Sequence, residues 1–249
     1  MRVAPRVLVL VRDAEGYGAA LADALRPSPG LTRESSPLEL PRGKYGLNGE
    51  KASVELLSFS DSSGSPQVSI FVVPDYKPPL AACVMHEVLE LISSEATSTE
   101  RVLIVPLITR SSSYQHGMEH STKVSPVLYG ADIGATTDFT QLVIAGTTKP
   151  PTSLQIRCEP ILCLLEMVRV LKMPTVLLVP SGGQQQGKSS TVSDLEVILT
   201  VLFVLILILQ CVGEHLARHT NLEFSKESIL ERGIEKSPIV QEPWRELYG

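Results

Sequence analysis

The sequence predicts an α/β fold, with a mostly parallel central sheet, helices on both faces and an extended C-terminal tail. Three observations carry this. Short runs of Val, Leu and Ile, fit for strands buried on both faces, alternate with segments whose apolar residues recur three and four apart. No internal repeat competes with that alternation. Residues 237–249 are instead spaced by Pro238 and Pro243 and hold the only tryptophan, Trp244. Proline keeps such a segment extended and away from its own domain. With 249 residues, 43% of them hydrophobic, the chain can bury a sizeable core. The expected division is one α/β domain over residues 1–236 and a tail over 237–249.

Val7 to Val11, flanked by Arg6 and Arg12, predicts a buried first strand over 6–12. The run is too short for a signal-peptide core and lacks a small-residue cleavage site. The Ala- and Leu-rich stretch 16–25 predicts a helix. Residues 26–50, rich in Pro, Gly and Ser, predict a loop. Residues 53–59 and 68–73 read as two strands joined through Asp61-Ser62-Ser63-Gly64-Ser65-Pro66, a hairpin turn. Pro78-Pro79 precedes a helix over 80–92. Residues 102–107 predict another buried strand, followed by a polar loop over 109–125.

Residues 141–145 predict a short strand. Over 160–172 Ile161, Leu164, Leu165, Val168 and Leu171 share one face of a helix. Met173-Pro174 stops it, because a residue before proline is pushed out of the helical region. Residues 175–179 predict a strand, 181–192 a polar loop, and 193–218 a long helix. Within that helix, 197–212 is apolar apart from Thr200, Gln210 and Cys211.

Charge and cysteine content narrow the function classes. The net charge is −5 with no Lys/Arg cluster, which argues against nucleic acid as a partner. Cys83, Cys158, Cys163 and Cys211 have neither zinc-knuckle nor redox spacing, and sit in apolar company. They read as reduced, buried thiols of a cytoplasmic or nuclear protein.

Three motifs suggest chemistry. Gly182 to Ser189 matches the P-loop pattern GxxxxGK[ST], in which backbone N–H groups, Lys188 and Ser189 would hold phosphates and Mg²⁺. A P-loop opens directly into a helix. Here Ser190-Thr191-Val192-Ser193 intervenes, and no strand after the motif ends in a magnesium-binding Asp. His116 to His120 matches HxxEH, but Gly117 and the preceding serines favour a loop over the rigid helix that zinc chemistry needs. Cys211, His215 and His219 fall four apart without an evident fourth ligand. No GxSxG elbow or paired-carboxylate motif stands out. The expectation is a protein without enzymatic activity, cofactor or metal.

The chain closes on Leu247-Tyr248-Gly249: an apolar residue, a tyrosine, any residue and a carboxylate. Tyrosine offers a flat apolar body with a polar tip, and a carboxylate can be captured by a lysine or a nest of N–H groups. Upstream, Arg101 to Tyr114 is a strand running into a Ser/Arg/Tyr loop, and Ser125-Pro126-Val127-Leu128-Tyr129 follows. Then comes the stretch 158–174, whose helix over 160–172 ends in Lys172-Met173-Pro174 before the strand 175–179. This order, with the tail, resembles the proteasome assembly chaperone 1 family over about Arg101 to Pro180.

The resemblance implies a chaperone for assembly of the proteasome core particle. It would pair with a second assembly chaperone and bind the α-ring of proteasome α subunits. Leu247, Tyr248 and Gly249 would be the partner-binding residues, inserted between α subunits. The departure from the family is 197–212. As a helix it rises roughly 24 Å, short of a ~30 Å hydrocarbon core. The run suits a buried helix or a membrane better than a surface helix, and an insertion peculiar to this chain is the third reading. A tail-anchored membrane protein is the alternative, and a P-loop nucleotide-binding protein through 182–189 a weaker one.

Overall fold

The computed structural model describes residues 2–13, 16–41, 45–46, 52–94, 101–108, 126–152, 154–181 and 194–229, without the side chains of 194–202. The polar loops 109–125 and 182–192 and the tail 237–249 lie outside these residues. Fourteen elements follow one another: β1 Arg6–Arg12, α1 Tyr17–Ala24, β2 Leu25–Pro27, β3 Leu31–Glu39, β4 Ser53–Asp61, β5 Pro66–Pro74, α2 Leu80–Ser94, β6 Val102–Pro106, β7 Val127–Ile133, α3 Asp138–Ile144, α4 Glu159–Leu171, β8 Thr175–Ser181, α5 Asp194–Thr220 and β9 Leu222–Phe224.

Seven strands form one sheet in the order β3-β4-β5-β1-β6-β8-β7. The four central strands, β5, β1, β6 and β8, run parallel. Antiparallel strands flank them on both sides. The parallel core is as expected, and the antiparallel flanks complete it. Alternation along β1 splits its side chains between two apolar layers. Val7, Val9 and Val11 meet α2 and α4 on one face. Leu8 and Leu10 meet α1 and α5 on the other. A strand covered on both faces must be apolar on both, which is why the run at 7–11 was legible without any neighbour.

Four readings need correction. Residues 26–50 are not simply a loop, because they contain β2 and the nine-residue β3. β3 pairs antiparallel with β4 from Leu31 opposite Asp61 to Glu39 opposite Ser53. None of its residues is buried, so no apolar pattern betrays it. It is an edge strand whose stability comes from the ladder. Pro37 is tolerable there, where no second neighbour asks for its missing N–H.

Residues 141–145 are not a strand. They belong to α3, whose capping box pairs Thr137 Oγ1 with the Thr140 N–H at 3.1 Å and Thr140 Oγ1 with the Thr137 N–H at 2.9 Å. That reciprocal cap satisfies two otherwise orphaned donors and sets a helical start. A short apolar run by itself fits either element.

Residues 127–133, read only as a step after Ser125-Pro126, form the strand β7. The Gly134 turn after β7 packs against the end of α4, with room for no side chain. A Cβ there would lie 2.2 Å from the Met173 carbonyl oxygen.

Leu171 leaves the apolar face assigned to it and is 57% exposed, although Ile161, Leu164, Leu165 and Val168 are buried. α4 ends at Lys172 in the left-handed conformation.

α5 is one-sided where its side chains are described. Ile208, Leu209, Val212 and Leu216 are buried, while Phe203 is 59% exposed. Among the described residues no helix is long and apolar enough to cross a membrane.

α1 sits unusually close to β1. A Cβ at Gly18 would lie 2.0 Å from the Val11 carbonyl oxygen, a backbone atom that cannot rotate away. Gly18→Ala is therefore expected to cost about 3 kcal/mol of stability through overpacking at this contact. Chemical denaturation of the variant beside the parent measures it, and a change under about 0.5 kcal/mol would show that the contact is not rigid.

Candidate functional site

Leu247, Tyr248 and Gly249 lie outside the described residues, which end on this side at Ile229. α5 turns through Asn221 into β9, which pairs antiparallel with β2. The Ser225 N–H then donates to the Ala24 carbonyl at 2.8 Å. Arg26 reaches Ser228 at 3.0 Å and Lys226 reaches Glu214 at 2.9 Å. Ile229, the last described residue, is 4% exposed and packs into the α1 and α5 layer. The described chain thus ends at a fastened point beside the end of α1. The sequence offered little sign of this clasp, since its strands have only three residues each.

The other sequence candidates fare differently. The P-loop match 182–189 and HxxEH at 116–120 also lie outside the described residues. The strand before the P-loop match ends at Ser181, and α5 is described from Asp194.

Cys211, His215 and His219 do not converge into a ligand set. His215 is buried and its Nε2–H donates to the Val143 carbonyl at 2.9 Å, taking that nitrogen as the protonated one of the neutral ring. His219 lies against it with ring centres 4.6 Å apart. Burial, then the neighbouring His219, pull the His215 pKa down to about 4. Burial pushes the Cys211 thiol up, away from the thiolate that a metal requires. His215 instead ties α3 to α5, with Val143 fully buried beneath the bond.

Two clefts open at opposite ends of the central strands. At the carboxyl end of β1, a cavity of about 400 Å³ is lined by Arg12, Asp13, Asp23 and Glu55. Ligands of open parallel sheets bind at this end of the strands. Here the charges are largely spent on one another and on the backbone. Arg12 pairs with Glu55 at 2.9 Å, and the Asp13 carboxylate accepts the Tyr17 N–H at 2.8 Å. Nearby, a hydrogen bond from Lys77 to Asp75 holds the ammonium protonated. Burial raises the Cys158 thiol, the reverse of nucleophile activation.

At the amino end of β1, a cavity of about 670 Å³ is lined by Arg6, Asp61, Gln67 and Asn221. Arg6 stacks on Phe139 at 5.1 Å. Asp61 accepts from Ser63, Ser65 and Gln67, and these bonds hold its carboxyl below the usual range.

Sequence reasoning missed one polar cluster. His86, Glu87 and Glu90 on α2 place their donor atoms within 4.8 Å of one another, the one such grouping among the described residues that could share a metal ion. Tyr45 already occupies its centre. Its hydroxyl donates to Glu87 Oε1 at 2.6 Å and meets His86 Nδ1 at 2.7 Å. The adjacent His86 and Glu87 gave no spacing signal of their own. Tyr45 comes from the distant 26–50 stretch, and only the fold unites them.

The outward side of α4 is the remaining feature. Leu162, Val170 and Leu171 are three of the five large apolar side chains exposed among the described residues. Leu142 on α3 and Phe203 on α5 are the others.

Comparison with known proteins places this scaffold. Residues 1–249 match the model of a family described as a domain of unknown function, DUF7894. The chain belongs to the DUF7894 family. No curated protein matches this DUF7894 chain.

Solved structures do. Pyrococcus furiosus PbaB, an archaeal proteasome activator, superposes with a TM-score of 0.52 at 14% identity, covering 99% of this chain and 94% of that one. A Thermoplasma acidophilum protein of unknown function gives 0.51 at 13%, covering 98% and 88%. Pyrococcus furiosus PbaA, an archaeal homologue of proteasome-assembly chaperone, gives 0.48 at 12%, covering 96% and 90%. PbaB and the Thermoplasma protein share the α/β fold of this DUF7894 chain along nearly its whole length. The family description names no activity.

The His215 contact makes a pH prediction. The folded-state value, about 4, lies below the ordinary 6.5, so the folded form prefers the neutral ring. Its contribution is complete above about pH 6.5 and is lost as pH falls toward 4, amounting to roughly 3 kcal/mol over that window. His215→Gln can keep a donor to Val143 but cannot titrate. Its unfolding free energy is expected to fall less steeply between pH 6.5 and 4 than the parent's. Parallel profiles for the two proteins would contradict this account.

Proposed function

We propose that this chain is a chaperone for assembly of the proteasome core particle and has no catalytic activity of its own. It works in the cytoplasm or nucleus, paired with a second assembly chaperone, and engages the α-ring through Leu247, Tyr248 and Gly249. The observation that carries the reading is the fold held in common with PbaB, a protein described as a proteasome activator, across 99% of this chain. The motif order from Arg101 to Pro180 and the Leu-Tyr-Gly ending support it independently.

The described chain is fastened as far as Ile229, by the β2–β9 clasp and by burial of that residue. In the bound state Leu247 fills an apolar niche, Tyr248 sets the orientation, and the carboxylate of Gly249 pairs with a lysine of an α subunit. A charge-assisted contact of this kind depends on the distance between the ring and the carboxylate.

Deleting Leu247 to Gly249 is therefore expected to weaken α-ring binding at least about tenfold, the equivalent of ~1.5 kcal/mol. Folding should be unaffected. One residue added after Gly249 displaces the carboxylate while keeping every side chain, and should do nearly the same. Tyr248→Ala removes the aromatic anchor and should also weaken binding. Co-sedimentation of each variant with purified α-ring is the measurement. Equal binding by the deletion, the extension and the parent removes the tail from the mechanism. Failure of the parent itself to bind α subunits removes the chaperone assignment.

A further inference from the structure

We propose that the outward face of α4 is a self-association surface, which receives the α4 of a second copy of this chain, antiparallel across a two-fold axis.

The helical repeat puts Leu162, Cys163, Glu166, Arg169 and Val170 on one stripe, within about 60° either side of Glu166. The opposite stripe, Ile161, Leu164, Leu165 and Val168, is buried against the sheet and α2. The outward stripe has no cover among the described residues. Val170 is 80% exposed and Leu162 39% exposed. Within the stripe Cys163 is half-buried, as is Met167 at its margin. Isolated apolar residues on a surface need no explanation, but several on one helix face mark an interaction site.

The charge pattern selects the occupant. An isologous contact must be complementary to itself. On this stripe the acid, Glu166, precedes the base, Arg169, by three residues, and the two now pair within one helix at 3.3 Å while both remain largely exposed. Two such helices crossing antiparallel, with the axis between positions 167 and 168, bring Glu166 of each opposite Arg169 of the other. Both ion pairs form at once. The same crossing sets each Val170 level with position 165 of its neighbour, between Cys163 and Glu166 of the facing stripe. A parallel crossing would set Glu166 against Glu166 and Arg169 against Arg169, which like charges oppose. The face therefore discriminates orientation by charge and gains association from its apolar positions. It is separate from the tail and does not need the proteasome to form.

Sedimentation of the full-length chain across the micromolar range tests this. A reversible dimer is expected. Val170→Glu places a charge at a position that contributes nothing to the core, so folding should persist while dimerisation weakens at least about tenfold. Glu166→Arg and Arg169→Glu should each weaken it, and the two together should restore it, because the reversed pair is again self-complementary. Removing Leu247 to Gly249 should leave the dimer unchanged, which keeps this contact distinct from α-ring binding.

A chain that stays monomeric at every concentration overturns the proposal, as does a dimer indifferent to Val170→Glu. If the double reversal fails to recover what the single reversals lose, the antiparallel arrangement is wrong. A different protein seated on α4 while the chain itself remains monomeric would overturn the second-copy assignment as well.

Discussion

Everything in this structure depends on β1 being covered on both faces and both edges. β5 and β6 pair with it in parallel, and two helical layers close over its alternating side chains. Burial of this kind is the main favourable term in folding, at about 25 cal/mol per Å² of apolar surface. It imposes strict geometry. α1 must approach so closely that position 18 has no room for a Cβ, and the strands must be aliphatic throughout. Charged side chains line the clefts that open at the two ends of β1.

That constraint shapes what the molecule can offer a partner. The clefts at the ends of β1 are lined by charged groups that mostly satisfy one another or the backbone. Burial raises the thiols of Cys158 and Cys211 and lowers His215, so these groups are held in their neutral forms. Among the described residues the large apolar side chains left outward are Leu142, Leu162, Val170, Leu171 and Phe203.

α5 illustrates how a misleading pattern is resolved by packing. Its apolar run reads from sequence as apolar all round. In the fold, Ile208, Leu209, Val212 and Leu216 face the sheet and α1, while Phe203 is left outside. Toward its carboxyl end, His215 closes the contact to α3 by hydrogen-bonding a carbonyl. The spacing of Cys211, His215 and His219 resembled a metal set only because one face of a helix brings every fourth residue into line. Burial and the Val143 bond give that face a structural task.

By itself the sequence determined the elements whose pattern is local. β1, β5, β6 and β8 declare themselves as aliphatic runs, α2 and α4 by apolar spacing, and the β4–β5 hairpin by its turn residues. It also determined the Leu-Tyr-Gly ending, which is a property of covalent order alone. Tertiary structure decided the rest. β3 is a strand only because β4 offers it a ladder, since none of its own side chains is buried. α3 is a helix because the Thr137–Thr140 cap outweighs a short apolar run that fits either element. The Tyr45–His86–Glu87 cluster, the β2–β9 clasp and the exposed stripe of α4 unite or uncover residues by contacts distant in sequence. Hydrogen-bond partners and burial are set by what the folded chain brings alongside, and no periodicity along the chain encodes them.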